Sequence, residues 1–180
     1  MSTSAIPTND GLTLIAANVP SQHLGAPEEA FHRVLRTLAP DLATAVGDGR
    51  RVERFRFTPG IDSFLRVPAG PGWMLVGDAG FTKDPLSAHG ISCALRDAEL
   101  AAEAIHVSLT EPEAEVAAGR RYQAVRDRFA IPLLEYTIEL ASLDWTGTRA
   151  SELMRALGRV TDAECELLGR TARSPRALVA

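Results

Sequence analysis

Apolar residues follow three rhythms along the chain. Asn9-Asp10-Gly11 is a turn signal, and the run GLTLIAA at 11–17 after it reads as a strand buried on at least one face. So early a strand leaves little room for a pairing partner, and the pattern predicts a sheet missing its first members. A short amphipathic helix follows, with Phe31, Val34, Leu35 and Leu38 at helical spacing, and Pro40 and Gly47-Asp48-Gly49 break it. Two extended segments are then predicted, one carrying Val52, Phe55 and Phe57, the other Phe64, Leu65 and Val67, divided by Pro59-Gly60 and closed by Pro71-Gly72.

Residues 73–76 (WMLV) predict a compact buried strand that runs into Gly77-Asp78-Ala79-Gly80 and a polar loop with a proline. Beyond the loop the pattern turns helical. An Ala-rich periodic helix is predicted over 88–108, and a second over 113–143 with Tyr122, Val125, Phe129, Leu133, Tyr136 and Leu140, kinked at Pro132. Leu153, Leu157, Leu167 and Leu168 suggest two short terminal helices with Thr161-Asp162 as the cap between them, and the end at 174–180 (SPRALVA) is expected to fray. The fold class is α+β: strands with one helix over 1–71, a strand-loop-helix unit over 72–110 and helices over 111–180, in one compact unit.

Composition narrows the functions open to such a chain. A chain of 180 residues, 46% hydrophobic and 23% charged, can bury one sizeable core. A net charge of -4 offers no basic face for nucleic acid or an anionic membrane surface. Cys93 and Cys165 are the only cysteines, too few for a zinc site or a disulfide framework, which favours a reducing compartment. The opening lacks the blocks of a signal peptide, and no apolar run approaches the roughly 18 residues of a membrane span, so a cytoplasmic protein is expected.

Candidate chemistry concentrates in 72–105. There a strand delivers Asp78 to a sheet edge, a loop turns at Pro85 and Gly90, and a helix begins near 87–90. A carboxylate so placed accepts hydrogen bonds from a polyol, and the unpaired N–H groups at the helix start face an electron-rich neighbour. The succession Gly77-Asp78-Ala79, Asp84-Pro85, Ala88-His89-Gly90-Ile91-Ser92 and Asp97-Ala98 resembles the second FAD-binding motif of the aromatic-hydroxylase-type flavoproteins, the family of para-hydroxybenzoate hydroxylase, more distantly of flavin halogenases and geranylgeranyl reductases. The usual Pro-Pro-x-Gly is replaced by Asp84-Pro85-Leu86-Ser87, and the usual Asn by Ser92, as in a variant subgroup.

The resemblance implies roles residue by residue. Asp78 would bind the ribitol hydroxyls, Pro85 would lie beside the reactive face of the isoalloxazine, the amides of Gly90, Ile91 and Ser92 would stabilise negative charge at the N1/O2 edge, Gly77 and Ala88 would also belong to the cofactor-binding set, and Asp97 would fix the helix. It also implies NAD(P)H as reductant of FAD, followed by oxygen activation and hydroxylation, epoxidation or halogenation of a small organic substrate. Such enzymes carry a Gly-x-Gly-x-x-Gly loop for the pyrophosphate, which residues 1–60 do not supply, so the expectation is the C-terminal part of a truncated FAD/NAD(P)-binding fold, completed by a second chain or by self-association. A non-catalytic association module, a geranylgeranyl-reductase-like fragment and a halogenase-like fragment are the alternatives. His89 is a candidate acid/base, although an exposed first-turn histidine is ordinarily only solvated. Lys83 and Asp84 read as solvated loop charges, Cys93 as a packing residue, and Arg66 and Arg96 carry no assigned role.

Overall fold

The computed structural model describes residues 1–20, 23–58 and 60–172, with nothing said of the side chains at 170–172. The chain divides into two compact units, Met1–Gly60 and Ile61–Ala180, each taken by itself. Helices joined by short antiparallel strand pairs make this an α+β protein. Among the described residues no helix is long and apolar enough to cross a membrane.

In the first unit β1 (Ser2–Pro7) pairs antiparallel with β2 (Thr13–Asn18), in a register running from Ser2 opposite Asn18 to Pro7 opposite Thr13. The expected missing partner is therefore present. Asp10 and Gly11 take the left-handed conformation at φ 59° and 68°, and a turn of only five residues returns the chain onto itself. Helix α1 (Pro27–Leu38) starts on a proline, whose missing N–H costs nothing there, and buries Ala30, Val34 and Leu35.

A second helix, α2 (Pro40–Asp48), begins where a break was expected, because Pro40 occupies its first turn. The extended segment around Val52, Phe55 and Phe57 forms no strand. Side chains hold it instead: the Phe55 ring meets Phe31 edge-on at 5.5 Å and Arg51 pairs with Glu28. Of the predicted break at Pro59-Gly60, Pro59 lies outside the described residues.

In the second unit β3 (Phe64–Leu65) pairs with β6 (Phe81–Thr82), and β4 (Ala69–Gly70) with β5 (Trp73–Met74), all antiparallel. The predicted strand at 73–76 is thus cut to two residues and is not buried: Trp73 is 48% and Val76 40% exposed. Pro71 and Gly72, the latter at φ 78°, make a tight turn between β4 and β5, and among the described residues no further strand joins the pair.

The helices supply the core. Helices α3 (Gly90–Thr110), α4 (Glu115–Ser142) and α5 (Gly147–Ala172) share one cluster with β6 in which Phe81, Cys93, Ala130, Leu133, Leu153 and Leu157 are buried. A second cluster joins Leu100, Ala101 and Ala104 of α3 to Ala118 and Tyr122 of α4. Helix α4 continues through Pro132 as one element.

The two predicted terminal helices are one helix. Thr161 does not cap: its hydroxyl donates to the Leu157 carbonyl at 3.1 Å, four residues back, so the helix passes through the expected break. The predicted fraying at 174–180 falls outside the described residues.

Candidate functional site

The segment from Gly77 to Ser92 runs through a helical turn at Gly77–Ala79, strand β6, a second turn at Pro85–Ser87 and the start of α3. Gly77 sits at φ 55°, and a methyl group added there would come within 3.0 Å of the Ala94 side chain, so both its conformation and its close approach to α3 require glycine. Its N–H donates to the buried Asp97 carboxylate at 3.2 Å. The one acidic residue of this region that faces inward therefore ties the Gly-Asp-Ala turn to α3.

Further polar contacts, most of them part-buried, fasten this segment and the chain leading into it. From α4, the Tyr122 hydroxyl donates to the Leu75 carbonyl at 2.6 Å, and Arg126 reaches the carbonyls of Arg66 at 2.9 Å and Gly80 at 3.4 Å. From α5, the Thr161 hydroxyl meets His89 Nε2 at 2.6 Å, while His89 Nδ1 contacts the Ser87 carbonyl. Both ring nitrogens of His89 thus contact the loop and α5.

With its inner side held, the segment turns an outer face to solvent. Asp78, Pro85, Ala88, Gly90, Ile91 and Ser92 are all exposed, and only Gly77 of the predicted cofactor residues is buried. The Asp78 carboxylate has no partner among the described residues; its carbonyl alone is engaged, by the Thr82 hydroxyl at 2.8 Å. The Asp84 carboxylate accepts the Leu86 N–H at 2.9 Å and so shapes the turn at Pro85, and Ala88 takes the left-handed conformation at φ 57° that redirects the chain into α3.

The first turn of α3 has no capping side chain and no acidic residue, and an atom added at Gly90 would meet nothing within 4 Å. Its leading N–H groups belong to Gly90, Ile91 and Ser92, which are exposed, as are Asp78 and Pro85. Six of the seven predicted cofactor residues are thus exposed within one stretch of the second unit, 78–92, and only Gly77 is buried. A hollow of about 400 Å³ lined by Met1, His23, Gly25 and Arg33 belongs to the first unit and contains none of them. Among the described residues no group of His, Cys, Asp and Glu side chains could hold a metal ion.

Behind this surface lies a charged cluster that the sequence reading passes over. Arg96, fully buried, donates from Nε and Nη2 to Asp97 Oδ1 at 3.0 and 2.8 Å and from Nη1 to Glu164. Burial alone would lower the Arg96 pKa, but the two carboxylates hold it above its ordinary value. Lys83, read as a solvated loop charge, is 92% buried; its ammonium has no hydrogen-bond partner among the described residues and lies 4.1 Å from the centroid of the Phe81 ring. Cys93 is buried beside these charges, and burial pushes its thiol pKa up in spite of Arg96 and Lys83. One signal for the cluster was available: Arg96 and Asp97 fall at the same helical spacing as the apolar positions Cys93, Leu100 and Ala104, which places them on the inward side of α3.

Comparison of the chain with protein-family models, with curated proteins and with solved structures gives no match in any of the three.

Proposed function

We propose that residues 72–105 form the half of an FAD site that faces the ribityl chain and the isoalloxazine, and that the chain works as the C-terminal part of an FAD-dependent monooxygenase or related oxidoreductase. In this reading the pyrophosphate and adenosine are held by a Gly-x-Gly-x-x-Gly fold that these residues do not include, NAD(P)H is the reductant, the substrate is a small organic molecule and the setting is the cytoplasm.

The observation that carries the reading is the exposure of the predicted residues other than Gly77 along a segment that polar contacts hold in place. Asp78, whose carboxylate has no partner among the described residues, the Pro85 turn and the uncapped start of α3 are each exposed, and Asp97, Arg126 and Thr161 tie Gly77, Gly80 and His89 of the same segment to the helices. That donor set fits the group: a carboxylate accepts from ribityl hydroxyls, the Gly90–Ser92 amides favour negative charge at a flavin edge, and Gly90 leaves room for a flat ring. When bound, FAD supplies electron transfer and oxygen activation, while these residues orient it.

Titration of the purified chain with FAD, read by flavin fluorescence, tests the proposal. The expected result is saturable quenching that Asp78→Ala weakens about 10- to 100-fold, the worth of a charged hydrogen bond or two. Because the Asp78 side chain supports no other group, the variant keeps the fold, and circular dichroism checks this. Equal affinity of both proteins, or no saturable binding, rejects the site.

A further inference from the structure

Helix α3 is apolar on two sides. One side carries Cys93, Leu100, Ala101 and Ala104 into the core, and the opposite side presents Ile91, Leu95, Ala98, Ala102, Ile105 and Leu109 to solvent. The outward positions alternate steps of four and three residues and average about 3.6, the α-helical period, so they form one straight stripe along the helix. The large members are well exposed: Ile91 80%, Leu95 64%, Ile105 44% and Leu109 78%. A helix apolar on both sides ordinarily lies inside an assembly.

The order of residues in the stripe indicates what covers it. Read from either end about Leu100, Ile91 mirrors Leu109, Leu95 mirrors Ile105, and Ala98 mirrors Ala102. A second α3, related by a two-fold axis at the level of Leu100 and running antiparallel, would set each aliphatic side chain against an aliphatic partner. The alanines would meet at the centre, where small side chains let two helices approach at the near end of the usual 8–10 Å. Six such positions on each copy bury on the order of 1,000 Å² in total, the lower bound for a specific association.

We propose that this face of α3 is the dimer interface of the protein and that its occupant is the antiparallel α3 of a second copy. The inference does not depend on the FAD reading, and its test uses no flavin.

Sedimentation equilibrium of the chain from about 1 to 200 µM should show a weight-average mass rising toward twice 19.3 kDa. Leu95→Glu together with Ile105→Glu should abolish the rise while leaving the circular dichroism spectrum unchanged, since both side chains are exposed. A monomer throughout, or a dimer that survives the double variant, overturns the proposal. Orientation is read by disulfide trapping in a Cys165→Ser background. Leu95→Cys mixed with Ile105→Cys should cross-link, whereas Leu95→Cys alone should not, because antiparallel pairing separates the two copies of position 95 by about 15 Å. Ready cross-linking of Leu95→Cys with itself overturns the antiparallel arrangement.

Discussion

Replacing Arg96 with methionine removes the cation between two buried carboxylates. Asp97 would keep only the Gly77 N–H, and Glu164, whose second oxygen already lacks a partner, would lose its one hydrogen bond. Stranding buried charge in this way costs about 3–5 kcal/mol. At a urea dependence of about 2 kcal/mol per molar, the unfolding midpoint should fall by roughly 1.5–2.5 M.

Trp73 and Trp145 both lie in the second unit, so tryptophan fluorescence follows the part of the chain at issue. The double variant Arg96→Met with Glu164→Leu removes one of the stranded carboxylates and fills its place with apolar volume. It should therefore be more stable than Arg96→Met alone by about 1–3 kcal/mol, a non-additivity typical of groups in one network. A midpoint shift below about 0.5 M for Arg96→Met, or a double variant less stable than the single one, would refute the argument that this cluster braces the loop.

Four further outcomes follow from the geometry. Gly77→Ala should destabilise the second unit by about 1–2 kcal/mol in thermal or urea unfolding, since it puts a side chain in the left-handed region and against Ala94. A thiol reagent should modify one cysteine in the native protein, the exposed Cys165, and Cys93 only on unfolding. Because the folded Cys93 pKa is raised, its contribution to stability is complete below the unfolded thiol pKa of about 8.5 and should decline as pH rises from there toward the folded value. In the opposite direction, the Arg149 guanidinium holds Glu139 below the ordinary carboxylate range, so that exposed pair contributes above about pH 4.3 and is lost as pH falls through the lowered value; Glu139→Gln should flatten that part of an acid titration.

The elements legible in the sequence were those with a long period. Helices α3 and α4 stand within two residues of their predicted limits, because twenty or more residues of consistent spacing leave little ambiguity. Short apolar runs were harder to read. The segment at 73–76 has a strand's composition but forms only two residues of strand, since pairing depends on a neighbour that the local sequence does not specify. Thr161-Asp162 reads locally as a cap, yet the hydroxyl turns back to Leu157 and across to His89, contacts decided by tertiary packing.

The candidate site shows the same division. The succession from Gly77 to Ser92 stands out in the sequence, and its predicted cofactor residues other than Gly77 are exposed, but what holds the segment was not legible. Asp97, Tyr122, Arg126, Thr161 and Glu164 lie between about 20 and 90 residues downstream of the loop they hold, directly or through Arg96; helical spacing places Asp97 and Tyr122 on inward positions, but the partner each bonds across that separation leaves no periodic trace.

The proposal that this face receives a flavin is tested most directly by ¹⁵N–¹H correlation spectra of the labelled chain recorded as FAD is added. The account predicts shifts at the amides of Gly77, Asp78, Ala88, Gly90, Ile91 and Ser92, with Met1–Gly60 unchanged. Shifts confined to the hollow around His23 and Arg33, or none at flavin concentrations up to about the millimolar range of weak binding, would contradict it.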